Sequence, residues 1–247
     1  MTTIIEVGNV TKTFGGVVAN HEISLKVEKG AITGMIGPNG SGKTTLFNSI
    51  VGYHPIDSGS IKFEGREISK FRVQNIARLG LVRTFQQTRI YGKMNCVQNM
   101  LISIPHRKAG FWDMFGRHRA EDREKAENLL EFVGLYEKRL LMGGDLSFGQ
   151  QKLLEFAMAL MNEPSVLMLD EPTAGINPTL INGLIDRLKR ANEEFGITLF
   201  VIEHNMRVIM NLAEHIYCLA HGELLAEGTP DQIQNDQRVI DAYLGAH

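Results

Sequence analysis

Hydrophobic and polar positions alternate through the first third of the chain. Residues 4–10 and 17–27 are rich in β-branched residues and read as strands, with Gly15-Gly16 as a tight turn between them. Residues 31–36 form a short apolar run, after which a glycine-rich loop leads into a helical pattern over 43–51. Residues 60–64 and 81–85 are two further short strands. The middle of the chain behaves differently, with no strand pattern over residues 95–162. Within 121–135, Ala126, Leu129, Leu130 and Val133 fall on one helical face with charges opposite. Within 148–161, Leu153, Leu154, Ala157, Leu160 and Met161 recur at helical spacing. Strand character returns at 165–169 and again at 197–202, on either side of a helix predicted over 180–195. Residues 216–220 and 223–226 flank His221-Gly222, a two-residue hairpin signal.

Strands alternating with helices imply an α/β fold with a mostly parallel sheet covered on both faces. The early strands and the late hairpin imply antiparallel β additions at the N-terminus and near the C-terminus. The helical stretch reads as an insertion into one domain spanning 1–247. A core over about 1–90 and 163–247 is interrupted by a helical subdomain over about 91–162. With 247 residues, 43% hydrophobic and 22% charged, the composition is that of a globular protein. A formal net charge of −2 gives no global pull towards nucleic acid. Cys96 and Cys218 lack CxxC spacing, so reduced thiols are expected rather than a disulfide framework or a structural metal. Glu6 interrupts the opening MTTIIEV where an export signal would stay apolar. The apolar run at 197–202 is far too short to span a bilayer, so any membrane role is expected to be peripheral, through a partner.

Gly37-Pro38-Asn39-Gly40-Ser41-Gly42-Lys43-Thr44 fits GxxxxGK[ST], after a strand and before a helix. Glycines let backbone N–H groups turn inward around phosphate oxygens, and the helix N-terminus adds the positive end of its dipole. Lys43 is expected on the β- and γ-phosphates and the Thr44 hydroxyl on Mg²⁺; Thr45, next in the helix, completes the nucleotide-binding set. The strand at 165–169 runs into Asp170-Glu171. Ligands of open parallel sheets bind at the carboxyl ends of strands. Asp170 is therefore expected to hold Mg²⁺ and Glu171 to polarise the attacking water. His204 follows the strand at 197–202. A histidine in that position is commonly structural; beside the γ-phosphate it would bridge that phosphate and Glu171.

Leu146-Ser147-Phe148-Gly149-Gln150 resembles the LSGGQ signature of ABC ATPases. The order of phosphate loop, strand-end glutamine, signature, acidic pair and histidine is similar to that family along nearly the whole chain. The resemblance implies a P-loop NTPase (RecA-like) core with an inserted helical subdomain, and hydrolysis of ATP with Mg²⁺. It implies that Phe14 stacks on adenine, although a core position for that ring is the alternative. It also implies that Gln86 senses Mg²⁺ and the attacking water. Ser147, Gly149 and Gln150 would meet the γ-phosphate held by a second ATPase subunit, identical or paralogous. The implied partners are permease subunits and, indirectly, a substrate-binding protein, with the chain peripheral on the cytoplasmic face of the membrane. Two residues depart from the pattern. Phe148 stands for a glycine and would be strained if the backbone there needs φ > 0. Asn177 stands where many members have Asp.

Val82-Arg83-Thr84-Phe85-Gln86, Ala174-Gly175-Ile176-Asn177-Pro178, Ile202-Glu203-His204-Asn205-Met206 and the tail with Gly228-Thr229-Pro230 and Ala242-Tyr243-Leu244-Gly245 look like branched-chain amino acid importer ATPases. Urea or amide importers and a lipopolysaccharide-export ATPase share much of this pattern. ABC ATPases of DNA repair or translation are the rival from another class. Their paired cassettes or long coiled coils have no counterpart here. The segment 110–119 around Trp112 is either a small core of the helical part or a partner-facing patch.

Overall fold

A computed structural model describes residues 2–84, 90–104 and 120–244. The chain divides into two compact units. The first comprises residues 1–83, 165–172 and 188–247; the second comprises 84–164 and 173–187.

The first unit holds two sheets. In the smaller one, β1 (Thr3–Phe14), β2 (Val17–Glu28), β4 (Ser58–Phe63) and β5 (Arg66–Glu67) are antiparallel in the order β2-β1-β4-β5. Gly15 and Gly16 both have positive φ, the backbone that lets a two-residue turn match strand twist. The larger sheet has the order β10-β9-β3-β8-β7-β6, built from β3 (Ile32–Ile36), β6 (Leu81–Arg83), β7 (Val166–Asp170), β8 (Thr198–Ile202), β9 (His215–Ala220) and β10 (Glu223–Gly228). Its pairs are parallel except β9–β10. This is the expected α/β arrangement, with antiparallel β at both predicted places. Strands β3, β7 and β8 are buried at every residue, as their continuous apolar runs require of strands covered on both faces. Among the packed side chains are Phe47 and Phe200, with ring centroids 4.7 Å apart. Full burial of such a side chain contributes roughly 1.5–3 kcal/mol.

The helices of the first unit include α1 (Lys43–Ile50), α2 (Val73–Arg78), α7 (Met206–Leu212), α8 (Pro230–Gln234) and α9 (Gln237–Leu244). The second unit carries α3 (Cys96–Ile102), α4 (Ala120–Phe132) and α5 (Phe148–Leu160), and its described residues contain no strand. An isolated bridge joins Asn95 to Met142. Helix α6 (Pro178–Phe195) begins in the second unit and ends in the first. Ala126, Leu129, Leu130 and Val133 are all buried, as the period over 121–135 predicts. Cys96 and Cys218 are buried and form no disulfide. Gln86 and the Trp112 segment lie outside the described residues.

Candidate functional site

The nucleotide site begins where β3 runs out. Gly37 has φ 147°, and a Cβ there would sit 2.1 Å from the Leu219 carbonyl oxygen, so the turn out of the strand admits only glycine. Gly42 precedes α1 with φ 98°, and a Cβ there would lie 2.3 Å from the Ala19 oxygen. Between them the loop closes on itself, the Ser41 N–H donating to the Pro38 oxygen at 3.2 Å. Asn39 and Gly40 at its crest are exposed, Thr44 is exposed at the start of α1, and Thr45 is half-buried.

Lys43 is only 5% exposed. Its Nζ donates to the oxygens of Gly37 and Pro38, each at 2.8 Å, and to Ser41 Oγ at 3.2 Å. Burial pushes its ammonium below the usual lysine range, against the upward pull of Glu171, Asp170 and Cys218. Its three hydrogen bonds fix the lysine head against the loop.

The carboxylates come from β7. Asp170 pairs with Ile202 across β7 and β8, so the residues after each strand emerge side by side. Glu171 Oε1 lies 2.6 Å from His204 Nε2. Glu171 has φ 49°, a conformation that costs a non-glycine residue about 1–3 kcal/mol and that clusters at functional sites. Its N–H donates to the Ile202 oxygen at 2.9 Å, which holds the turn in place. The Asp170 side chain is fully buried. Its Oδ2 accepts from Arg83 Nη2 at 2.6 Å, whereas its Oδ1 has no hydrogen-bond partner among the described residues. An unpartnered buried carboxylate oxygen is expensive unless a cation meets it. That orphaned oxygen is the observation that makes Asp170 fit a divalent metal. Among the described residues there is no cluster of three His, Cys, Asp or Glu around a common point.

Phe14 ends β1 and is 43% exposed, which removes the core alternative for its ring. The ring stands edge-on to His54 at 5.1 Å, and Lys12 Nζ lies 5.1 Å from its centroid. Asp57 fastens this strand end, accepting from Lys12 Nζ at 3.1 Å and from the N–H and hydroxyl of Thr13 at 2.6 and 2.7 Å. The hydroxyl of Thr13 and the ammonium of Lys12 hold the Asp57 carboxyl below its ordinary range.

In the second unit, Ser147 is the N-cap of α5. Its Oγ accepts from the Gln150 N–H at 3.4 Å, and Gln150 Oε1 accepts from the Ser147 N–H at 3.0 Å. This reciprocal pair is a capping box. Gly149 is buried, with Leu180 3.3 Å from where its Cβ would stand. Phe148 is the first residue of the helix and has no positive φ, so the strain expected of a bulky residue there is absent. Its ring fills the space over Gly175, where an added Cβ would lie 2.8 Å from Phe148 Cε1. Asn177 caps α6, its Oδ1 accepting from the N–H and hydroxyl of Thr179 at 3.1 and 2.9 Å.

The first unit thus brings together the loop, Lys43, Asp170, Glu171 and His204, while Ser147, Gly149 and Gln150 belong to the second. Three residues were not singled out as site residues from sequence. Arg83 ends β6, at the strand ends where ligands of parallel sheets bind, and that position together with its place in the stretch 82–86 was its signal. Asn48 accepts from Arg83 Nη1. Tyr243 Oη accepts from the Gly37 N–H at 2.8 Å, and burial pushes its phenol up to about 12.

Architecture and site are those of a phosphate-loop nucleoside triphosphatase. The ABC transporter family model matches residues 20–174, and a model described as branched-chain amino acid ATP-binding cassette transporter matches residues 223–247. The high-affinity branched-chain amino acid transport ATP-binding protein BraF of Pseudomonas aeruginosa is 41% identical over 98% of both chains. Among solved structures, the ADP conformation of an ATP-binding cassette of an ABC transporter is 33% identical. Its TM-score is 0.88, over 99% of this chain and all of that one. A dimeric bacterial ABC transporter cassette is 26% identical, with a TM-score of 0.77 over 92% of this chain and 99% of that one. The chain belongs to the ABC transporter ATP-binding family, as a subunit that binds ATP and hydrolyses it to power transport.

Proposed function

We propose that this subunit energises uptake of branched-chain amino acids, binding Mg²⁺-ATP between two cassettes. The observation that carries the substrate is the 41% identity to BraF over 98% of both chains, with the tail model at 223–247 beside it. The second cassette is a copy of this chain or a paralogue, a reading supported by the dimeric cassette of similar fold. Permease subunits, with a substrate-binding protein behind them, complete the assembly on the cytoplasmic face of the membrane. No described helix is long and apolar enough to cross a bilayer, so attachment falls to those partners.

In this reading the N–H groups of Asn39, Gly40 and residues 42–45, at the amino end of α1, cradle the phosphates. Lys43 exchanges loop carbonyls for β- and γ-phosphate oxygens. Phe14 offers its exposed face to adenine; a π-face accepts any base, so selectivity for the base is weak. Thr44 and the open oxygen of Asp170 hold Mg²⁺, with Gln86 as a further ligand implied by family resemblance. When bound, the metal neutralises charge on the β- and γ-phosphates. Magnesium prefers few protein ligands plus phosphates, which suits a site where Asp170 and Thr44 would be its ligands among the described residues.

Glu171 polarises the attacking water, and its 2.6 Å contact with His204 orients the carboxylate. His204 then links the γ-phosphate to that water. Ser147, Gly149 and Gln150 of the facing cassette donate to the γ-phosphate. ATP therefore stabilises the closed pair and ADP does not, and this difference in affinity drives the permease. Reconstitution with the neighbouring permease and binding-protein genes tests the proposal. ATP-dependent accumulation of labelled leucine, isoleucine or valine is expected. Uptake of urea or a short amide instead would refute the substrate.

A further inference from the structure

We propose that Arg83 is the positioning residue that decides which oxygen of Asp170 faces the metal. The inference rests on the proposed metal role of Asp170 and adds the means by which that carboxylate is aimed. Arg83 ends β6, where Arg83 pairs with Met168 of β7 two residues before Asp170. Its guanidinium is 5% exposed and forks: Nη2 donates to Asp170 Oδ2, and Nη1 donates to Asn48 Oδ1. Asn48 belongs to α1, the helix opened by the phosphate loop. One rigid cation therefore joins the phosphate-loop helix to the acidic strand end. The Phe47 ring lies beneath it, 5.8 Å from centroid to Cζ.

A carboxylate free to turn offers either oxygen. Gripped at Oδ2, Asp170 can offer only Oδ1, and that is the atom with no hydrogen-bond partner among the described residues. Magnesium demands near-ideal octahedral geometry, so a ligand already turned towards it loses less order on binding. The charge of Arg83 acts the other way, because a nearby cation repels a metal. Orientation dominates, since the guanidinium charge is already matched by Asp170 and the facing side stays anionic. Arg83 is suited to this by its planar fork, which holds two acceptors at a fixed angle; the single ammonium of a lysine cannot.

The test is an electron paramagnetic resonance titration of purified protein with Mn²⁺, in the presence of a non-hydrolysable ATP analogue. Affinity for a fluorescent ATP analogue in EDTA is measured alongside. Arg83→Gln is expected to raise the Mn²⁺ half-saturation concentration roughly 10–100-fold, the range for loss of a group that orients a metal ligand. Nucleotide affinity in EDTA should stay at the wild-type value. Arg83→Lys and Asn48→Ala, which each keep part of the fork, should fall between. Asp170→Asn serves as the control. If it weakens Mn²⁺ binding while Arg83→Gln leaves it equal or tighter, the positioning role is wrong and the metal role stands. If Asp170→Asn changes nothing, the metal role itself is wrong. Should Arg83→Gln fail to fold, Arg83→Lys and Asn48→Ala decide: wild-type half-saturation in both overturns the inference.

Discussion

At the carboxyl end of β7, Glu171 is held at φ 49° between a buried aspartate and a histidine. At the amino end of α5, Ser147 and Gln150 exchange two hydrogen bonds in an ordinary capped helix start. Both ends are proposed to meet the same phosphate, but only the first spends conformational energy to do so. It concentrates a distorted backbone, a desolvated lysine and an orphaned carboxylate oxygen. The second supplies donors from a relaxed helix terminus and no titratable group. The difference fits a division of labour in which the strand-end region performs the chemistry and the capped helix only recognises the phosphate.

The comparison can be broken at several points. Glu171→Gln should lower ATP turnover by about 10²–10⁴-fold, the usual contribution of a positioned general base. It should still bind ATP and should accumulate as an ATP-dependent dimer on a sizing column. A variant that turns over at the wild-type rate would take the chemistry away from β7. Lys43→Ala should cost about 10²–10³ in turnover, as for other preorganised electrostatic donors; steady-state phosphate release measures it. Phe14→Ala should weaken ATP binding by about 1–3 kcal/mol with turnover at saturation little changed. A shift in saturating rate instead of half-saturation would remove the ring from base stacking. At the other end, Ser147→Ala should lose about 1 kcal/mol of stability through the cap, read by denaturant unfolding. Phe148→Gly sharpens the contrast most finely. If the helix start is relaxed, glycine should destabilise by roughly 0.5–1 kcal/mol. A stabilised variant would mean the phenylalanine is strained after all.

Much of the architecture was legible because its demands are local. Gly37, Gly42, Gly15-Gly16 and His221-Gly222 mark backbone turns that few residues can make, and fully apolar runs mark strands buried on both faces. Short helices were not read. Helices α2, α3, α7, α8 and α9 span five to eight residues, too few for a helical period to declare itself. Their caps were the better signal. Asn95 with Gln98 and Thr229 with Gln232 form capping boxes, as Ser147 does with Gln150. The grip of Arg83 on Asp170 joins residues 87 positions apart, and no local pattern announces such a partner. Family resemblance supplied roles for Phe14 and the signature residues that periodicity could not. For Phe148 it raised an expectation of strain that the helix start does not meet.

The first residue of the nucleotide loop answers to a side chain 206 positions further on. Tyr243 sits on the last turn of α9, next to Leu244, whose side chain is largely open to solvent. Anything that lifts this turn, such as a fused purification tag or a bound protein, withdraws the acceptor from Gly37 and loosens the turn into the loop. The carboxyl-terminal tail is therefore a poor place for a neutral handle, and ATP affinity is where such a disturbance would first be felt.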